Sequence, residues 1–313
     1  MLRSLLFVLL PMLADAATGQ TALDHAKKLR SNESADRIRA ANELGKLGAG
    51  AAASANALAT ALGDPVSEVR NAAADALGKI GKPAVGHVNK ALADRDRQIA
   101  AVRAAGELGP LAADLVPAII KCLRVDGPDV SEAVNKAIVG IGEQALPHVI
   151  EGLKDNAINL RLCGALQAMG PSAKSAAPAL MQLLAKRGVR GREGAADALG
   201  AIGDPQAVPG LIEVVDEALA KVDSLLYGAG EKSLRALGRI KAKPELVVPL
   251  CVRVLGSPRR DVEAAGLQGR ALETLERLDA RQPEALDALR AFVASDPGKH
   301  KEAAARLLKK LGG

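Results

Sequence analysis

Four histidines, three cysteines and a set of basic clusters are the residues of this chain with chemistry to offer, and their spacing limits it. His25, His87, His148 and His300 are widely separated and none is followed by Glu. Cys122, Cys163 and Cys251 form no C-x-x-C pair and sit among Leu, Ile, Ala or Val, the setting of small buried hydrophobes. An odd number of cysteines also excludes a complete disulfide framework. No Gly-x-Ser-x-Gly is present, and no Gly-rich phosphate loop with Lys and Ser or Thr. Adjacent carboxylates such as Asp216 and Glu217 lie in helical stretches and are expected to be solvated. The residues therefore predict no catalytic group, cofactor or metal, and the chain reads as a non-enzyme.

What remains is charge. Lys and Arg number 42 against 36 Asp and Glu, and the excess is late: seventeen cations against sixteen acids in residues 1–150, twenty-five against twenty in 151–313. Lys186, Arg187, Arg190 and Arg192 form one cluster, Arg235, Arg239, Lys241 and Lys243 a second, and Arg253, Arg259 and Arg260 a third. Stacked in successive units, Lys186, Arg187, Arg190, Arg192, Arg235 and Arg239 would make a solvent-bathed ridge that attracts an acidic protein or peptide. Neutralising such a ridge should leave stability nearly unchanged.

The elements that would carry these residues follow from composition and periodicity. Hydrophobic residues make up 49% of the chain and aromatics 1%, which supports a large Ala- and Leu-built core and argues against aromatic-rich sandwiches and single-strand nucleic-acid binders. Residues 1–16 read as a signal peptide: Arg3, the apolar run Leu5–Leu13, then Ala14-Asp15-Ala16. Export to the periplasm or the exterior, with a mature chain from Ala17, is the expectation. No stretch is long and apolar enough to span a bilayer.

Two landmarks recur. Gly48, Gly81, Gly109, Gly142, Gly170 and Gly203 close Ala-rich helices, with Lys241 at the seventh place, in steps of 33, 28, 33, 28, 33 and 38. Between them stand Gly86, Pro117, Pro147, Pro178, Pro209 and Pro249 at a similar period. Each unit reads as two helices. In the second, Val66, Val69, Ala73, Ala76, Leu77 and Ile80 fall on one face, and Gly81 supplies a left-handed cap. Asp64-Pro65, Ser257-Pro258 and Asp296-Pro297 read as helix starts. At about 33 residues per unit, the mature chain holds about nine pairs.

The strings Asp64–Gly81 and Arg192–Gly203 resemble HEAT repeats, and more narrowly the phycobilisome-lyase HEAT-like repeats. The resemblance implies an all-α, right-handed α-solenoid over 17–313, regular over 34–203 and divergent over 204–313, with second helices on the concave face. It also implies an inter-unit ladder of Asp and Arg six residues apart, here Asp64 with Arg70 and Asp155 with Arg161. HEAT-like hydroxylases assemble two irons from His-Glu pairs, which this sequence lacks. His87 and His148 fall two units apart, roughly 20 Å, too far to share a metal. Three functions are consistent with such a solenoid: a non-catalytic scaffold binding a protein or peptide along the concave face, a lyase or lyase accessory like the bilin-attachment factors, and binding of a polyanion or DNA. The first needs only what is present. The near absence of aromatics weighs against DNA glycosylase-like binding.

Overall fold

The computed structural model describes residues 19–124, 127–221, 224–259, 261–295 and 300–312. The signal segment 1–16, Arg260 and the expected start at Asp296-Pro297 lie outside them. The chain divides into two compact units, Met1–Val149 and Ile150–Gly313. In the first are α1 (19–28), α2 (Ser34–Leu47), α3 (Ala55–Ala61), α4 (Ser67–Ile80), α5 (Val85–Leu92), α6 (Gln98–Leu108), α7 (Val116–Cys122) and α8 (Pro128–Ile141). After α9 (Leu146–Gly152) come α10 (Asn159–Met169), α11 (Ala177–Ala185), α12 (Gly191–Ile202), α13 (Val208–Ala220), α14 (Ser224–Ile240), α15 (Pro244–Leu255), α16 (Val262–Arg277), α17 (Pro283–Ser295) and α18 (Lys301–Leu311). The described residues contain no strand, and their helices run in chain order as nine pairs. The fold is an all-α solenoid of helix pairs.

Each unit is built of two layers. In the first, α2, α4, α6 and α8 pack side by side, backed by α3, α5 and α7. In the second, α10, α12, α14, α16 and α18 form one layer and α11, α13, α15 and α17 the other. The amphipathic stripe explains the arrangement. Val69, Ala73, Ala76, Leu77 and Ile80 of α4 are all buried while Lys79 faces water, and Leu199 of α12 repeats the position of Leu77 with no exposed surface. Small residues on the second helices let these approach closely. A Cβ on Gly140 of α8 would stand 2.5 Å from the carbonyl oxygen of Gly106 on α6, a backbone contact that neither helix can relieve without separating.

The landmark glycines differ from expectation in one respect. Gly48, Gly81, Gly109, Gly142 and Gly170 have φ of +53° to +77° but ψ of −128° to −150°, so the chain leaves each helix extended. Only Gly203 takes the left-handed helical cap, with φ 78° and ψ 20°. The extended form is reserved for glycine and throws the chain across to the next first helix, into a 3-10 turn. Lys241, the non-glycine seventh landmark, has φ of 51°.

Asp64-Pro65 is a turn and not a helix start. The Val66 amide donates to Asp64 Oδ1 at 2.9 Å, and α4 begins two residues after the proline, with Val66 as its cap. Ser257-Pro258 likewise precedes α16, which is capped by Asp261 accepting from the Ala264 amide. The same aspartate turn closes other first-to-second-helix linkers: Asp94 Oδ1 accepts from Asp96 N and Asp155 Oδ1 from Ala157 N, both at 3.0 Å.

Candidate functional site

The basic ridge is not a continuous solvent-bathed row. Arg192, the second residue of α12, is 4% exposed. Its Nε donates to the Leu184 carbonyl at 2.7 Å and its Nη2 to Glu217 Oε2 at 2.8 Å. Arg187 is exposed and donates to the other oxygen of the same carboxylate at 2.8 Å. Glu217 thus ties α13 to the linker before α12. Burial opposes ionisation of this carboxyl, but the hydrogen bonds from Arg192 and Arg187 outweigh it and hold it below the ordinary carboxylate range. Arg235 is half-buried and pairs with Asp197, which also takes Lys232 at 3.1 Å. Asp216 holds Arg253 at 2.7 Å, so neither it nor Glu217 is merely solvated. Arg259 pairs with Asp261 and lies 5.1 Å from the ring centroid of Tyr227. Lys186, Arg190 and Arg239 have no ion pair among the described residues.

The physical reason is repetition. Side chains at one offset from the landmark meet on consecutive second helices, and at two places there an acid is followed by a cation. Asp75 of α4 pairs with Arg103 of α6 at 2.9 Å, and Asp197 of α12 pairs with Arg235 of α14; all four stand six residues before their landmarks. The expected Asp–Arg ladder takes another form. Asp64 receives Nε and Nη2 of Arg37, from the preceding pair, at 2.7 and 2.9 Å, whereas Arg70 caps the carbonyls of Asp64 and Pro65. Desolvation works against the Asp64 carboxylate, and the Arg37 hydrogen bond with the Val66 amide outweighs it, so its pKa is lowered. Gln98, at the place of Arg70 in the next pair, caps the Leu92 carbonyl instead. Asp94 pairs within its own linker, with Arg97.

Cys122, Cys163 and Cys251 are buried free thiols, and burial pushes Cys163 and Cys251 up to about 12. Their place in the core matches the sequence reading. Among the described residues no group of three or more His, Cys, Asp or Glu could hold a metal ion.

In the first unit the second helices enclose an open groove of about 980 Å³. Ala100 and Gly106 of α6 and Ala133 and Ala137 of α8 line its apolar side, Arg70, Arg95, Arg103 and Lys136 supply cations, and Asp64, Asp96, Glu107, Asp129 and Glu132 acids. Ile99 lies in it with 47% of its surface exposed. Sequence reasoning missed this groove, although the signal was present: Arg103 and Lys136 stand six residues before Gly109 and Gly142, and Ile99 and Glu132 ten before.

The second helices thus define a class of protein, a solenoid of helix pairs that presents one layer as a surface. HEAT repeats match residues 24–99 and the PBS lyase HEAT-like repeat matches residues 191–217. Over those residues the chain carries HEAT-type repeats, the later one resembling the PBS lyase HEAT-like repeat. No curated protein matches it. Among solved structures, an engineered protein is similar at 20% identity and a TM-score of 0.44, covering 93% of this chain and 88% of its own. A chain from work on a phosphorylation switch between cadherin and beta-catenin is similar at 13% and 0.41, covering 93% and 75%. Human deoxyhypusine hydroxylase is similar at 20% and 0.34, covering 96% and 98%. No helix among the described residues is long and apolar enough to cross a membrane.

Proposed function

We propose that the chain is a non-catalytic scaffold that takes an extended protein or peptide segment in the groove on α4, α6 and α8. The observation that carries this reading is Ile99, an exposed branched side chain beside alanines and glycine in a groove edged by charge. Interfaces concentrate their binding energy in such apolar centres ringed by polar residues. Of the basic set, Lys186, Arg190 and Arg239 are left to meet an acidic partner, while Arg187, Arg192 and Arg235 answer acids of the chain itself. Panning a random peptide library against the protein should enrich binders whose affinity falls at least about tenfold, or about 1.4 kcal/mol, in Ile99→Asp. Val262→Asp, at a residue 86% exposed in the second unit, should leave them bound. Binders indifferent to Ile99→Asp would place the binding surface elsewhere.

We propose in addition, from the signal-like residues 1–16 alone, that the scaffold is exported and that segment removed. N-terminal sequencing of the protein from its native host should start at or near Ala17. Material beginning at Met1 would refute export by cleavage.

A further inference from the structure

The linker between α11 and α12, residues 186–190, differs from its counterparts in a way that bears on modification. In the linkers before α4, α6 and α10 an aspartate carboxylate accepts the amide two residues on, and in the linker before α2 the Glu33 amide donates to Ser31 Oγ. No side chain closes such a turn in 186–190. Its ends are held by Lys186 N to Leu183 O and Arg192 N to Val189 O, and Arg187 and Gly188 form the middle of a turn between them. Lys186, Arg187, Gly188 and Arg190 are exposed. Lys186 is already extended, with φ −74° and ψ 119°. Gly188 has φ of +70° and no atom within 4 Å of where its Cβ would stand. Three of the five residues are cations.

We infer that this linker is a processing site for endoproteases specific for basic residues, cut between Arg187 and Gly188. A protease needs several residues in extended form, and an exposed turn that no side-chain acceptor closes opens into that form at low cost. The Arg187 guanidinium, itself 69% exposed, is held by a pair with Glu217, which keeps Arg192 when Arg187 leaves, so an acidic specificity pocket can take it. Arg190–Gly191 is the poorer bond, because Gly191 is buried in the first turn of α12 against Asn159. Hydrolysis adds one water across the Arg187–Gly188 amide, leaving a carboxylate on Arg187 and an amine on Gly188. Leu180, Leu183 and Leu184 of α11 stay buried, and α11 packs on α12 and α13, so the nicked chain holds together. The inference is independent of the groove.

Brief digestion of the full chain with dilute trypsin, read by intact mass and N-terminal sequencing, tests it. The first new N-terminus should be Gly188, and the nicked protein should elute from a sizing column with the uncut chain. The variant with Lys186→Gln, Arg187→Gln and Arg190→Gln, which leaves buried Arg192 in place, should be nicked at least about tenfold more slowly, since cleavage of an open segment depends on its recognition and exposure. A first cut elsewhere, equal rates for the two proteins, or fragments that separate on the column would each overturn it.

Discussion

Leu77→Ala is expected to lower the urea midpoint by the equivalent of about 2 to 5 kcal/mol, the range for a leucine truncated in a packed core. Leu77 has no exposed surface and sits one turn before the end of α4, in the layer where α4 meets α2 and α6. Its neighbours along the helix, Ala73, Ala74 and Ala76, are buried and already small, so few atoms nearby can move into the space left behind. What relaxation occurs must come from a shift of whole helices. Closely spaced second helices restrict that shift, because Gly45 of α2 would meet the Ala76 backbone within 3.2 Å if it carried a Cβ. The matching change at Lys79, two residues on and facing water, should stay within about 0.5 kcal/mol. Equal midpoints for Leu77→Ala and the parent would show that Leu77 does not sit between packed helices.

The contrast between Leu77 and Lys79 also shows why so much of the fold could be read from the sequence. A period of about 33 residues fixes which positions recur, and an apolar stripe on a helix fixes which of them face inward, so core positions and helix ends followed from spacing alone. Gly81 was legible as a helix end because glycine punctuates; its extended ψ was not, since that depends on where the next helix must start. The surface was harder. Arg235 and Arg192 look alike in a list of cations, but one offset places Arg235 opposite Asp197, and another brings Arg192 to Glu217, twenty-five residues on. Charge counted along the chain measures excess, whereas charge compared at equal offsets measures pairing. Ile99 escaped notice for the same reason: one exposed isoleucine carries no signal until its neighbours on α4 and α8 are set beside it.

Arg192→Ser should destabilise the protein by about 2 to 4 kcal/mol, somewhat below the full penalty for breaking a fully buried ion pair because Glu217 keeps partial access to water. The expectation that the basic cluster could be neutralised without effect fails at this residue. Its guanidinium answers two acceptors, the Leu184 carbonyl at the end of α11 and Glu217 on α13, and its stem is covered with them. Removing it leaves both acceptors short of a donor and opens a space at the first turn of α12. Arg187→Ser touches the same carboxylate, but from a side chain 69% exposed, and should cost no more than about 1 kcal/mol. The pH dependence separates the two further. Glu217 has its pKa lowered in the folded protein, so its contribution is fully present above the ordinary carboxylate range and is lost as pH falls through the folded value. The gap between the parent and Arg192→Ser should therefore be widest near neutrality and narrow on acidification. Melting curves of the parent, Arg187→Ser and Arg192→Ser at neutral and acidic pH measure both effects. Equal losses for the two variants, or a gap that widens in acid, would show that Arg192 and Glu217 do not hold α12 to α13.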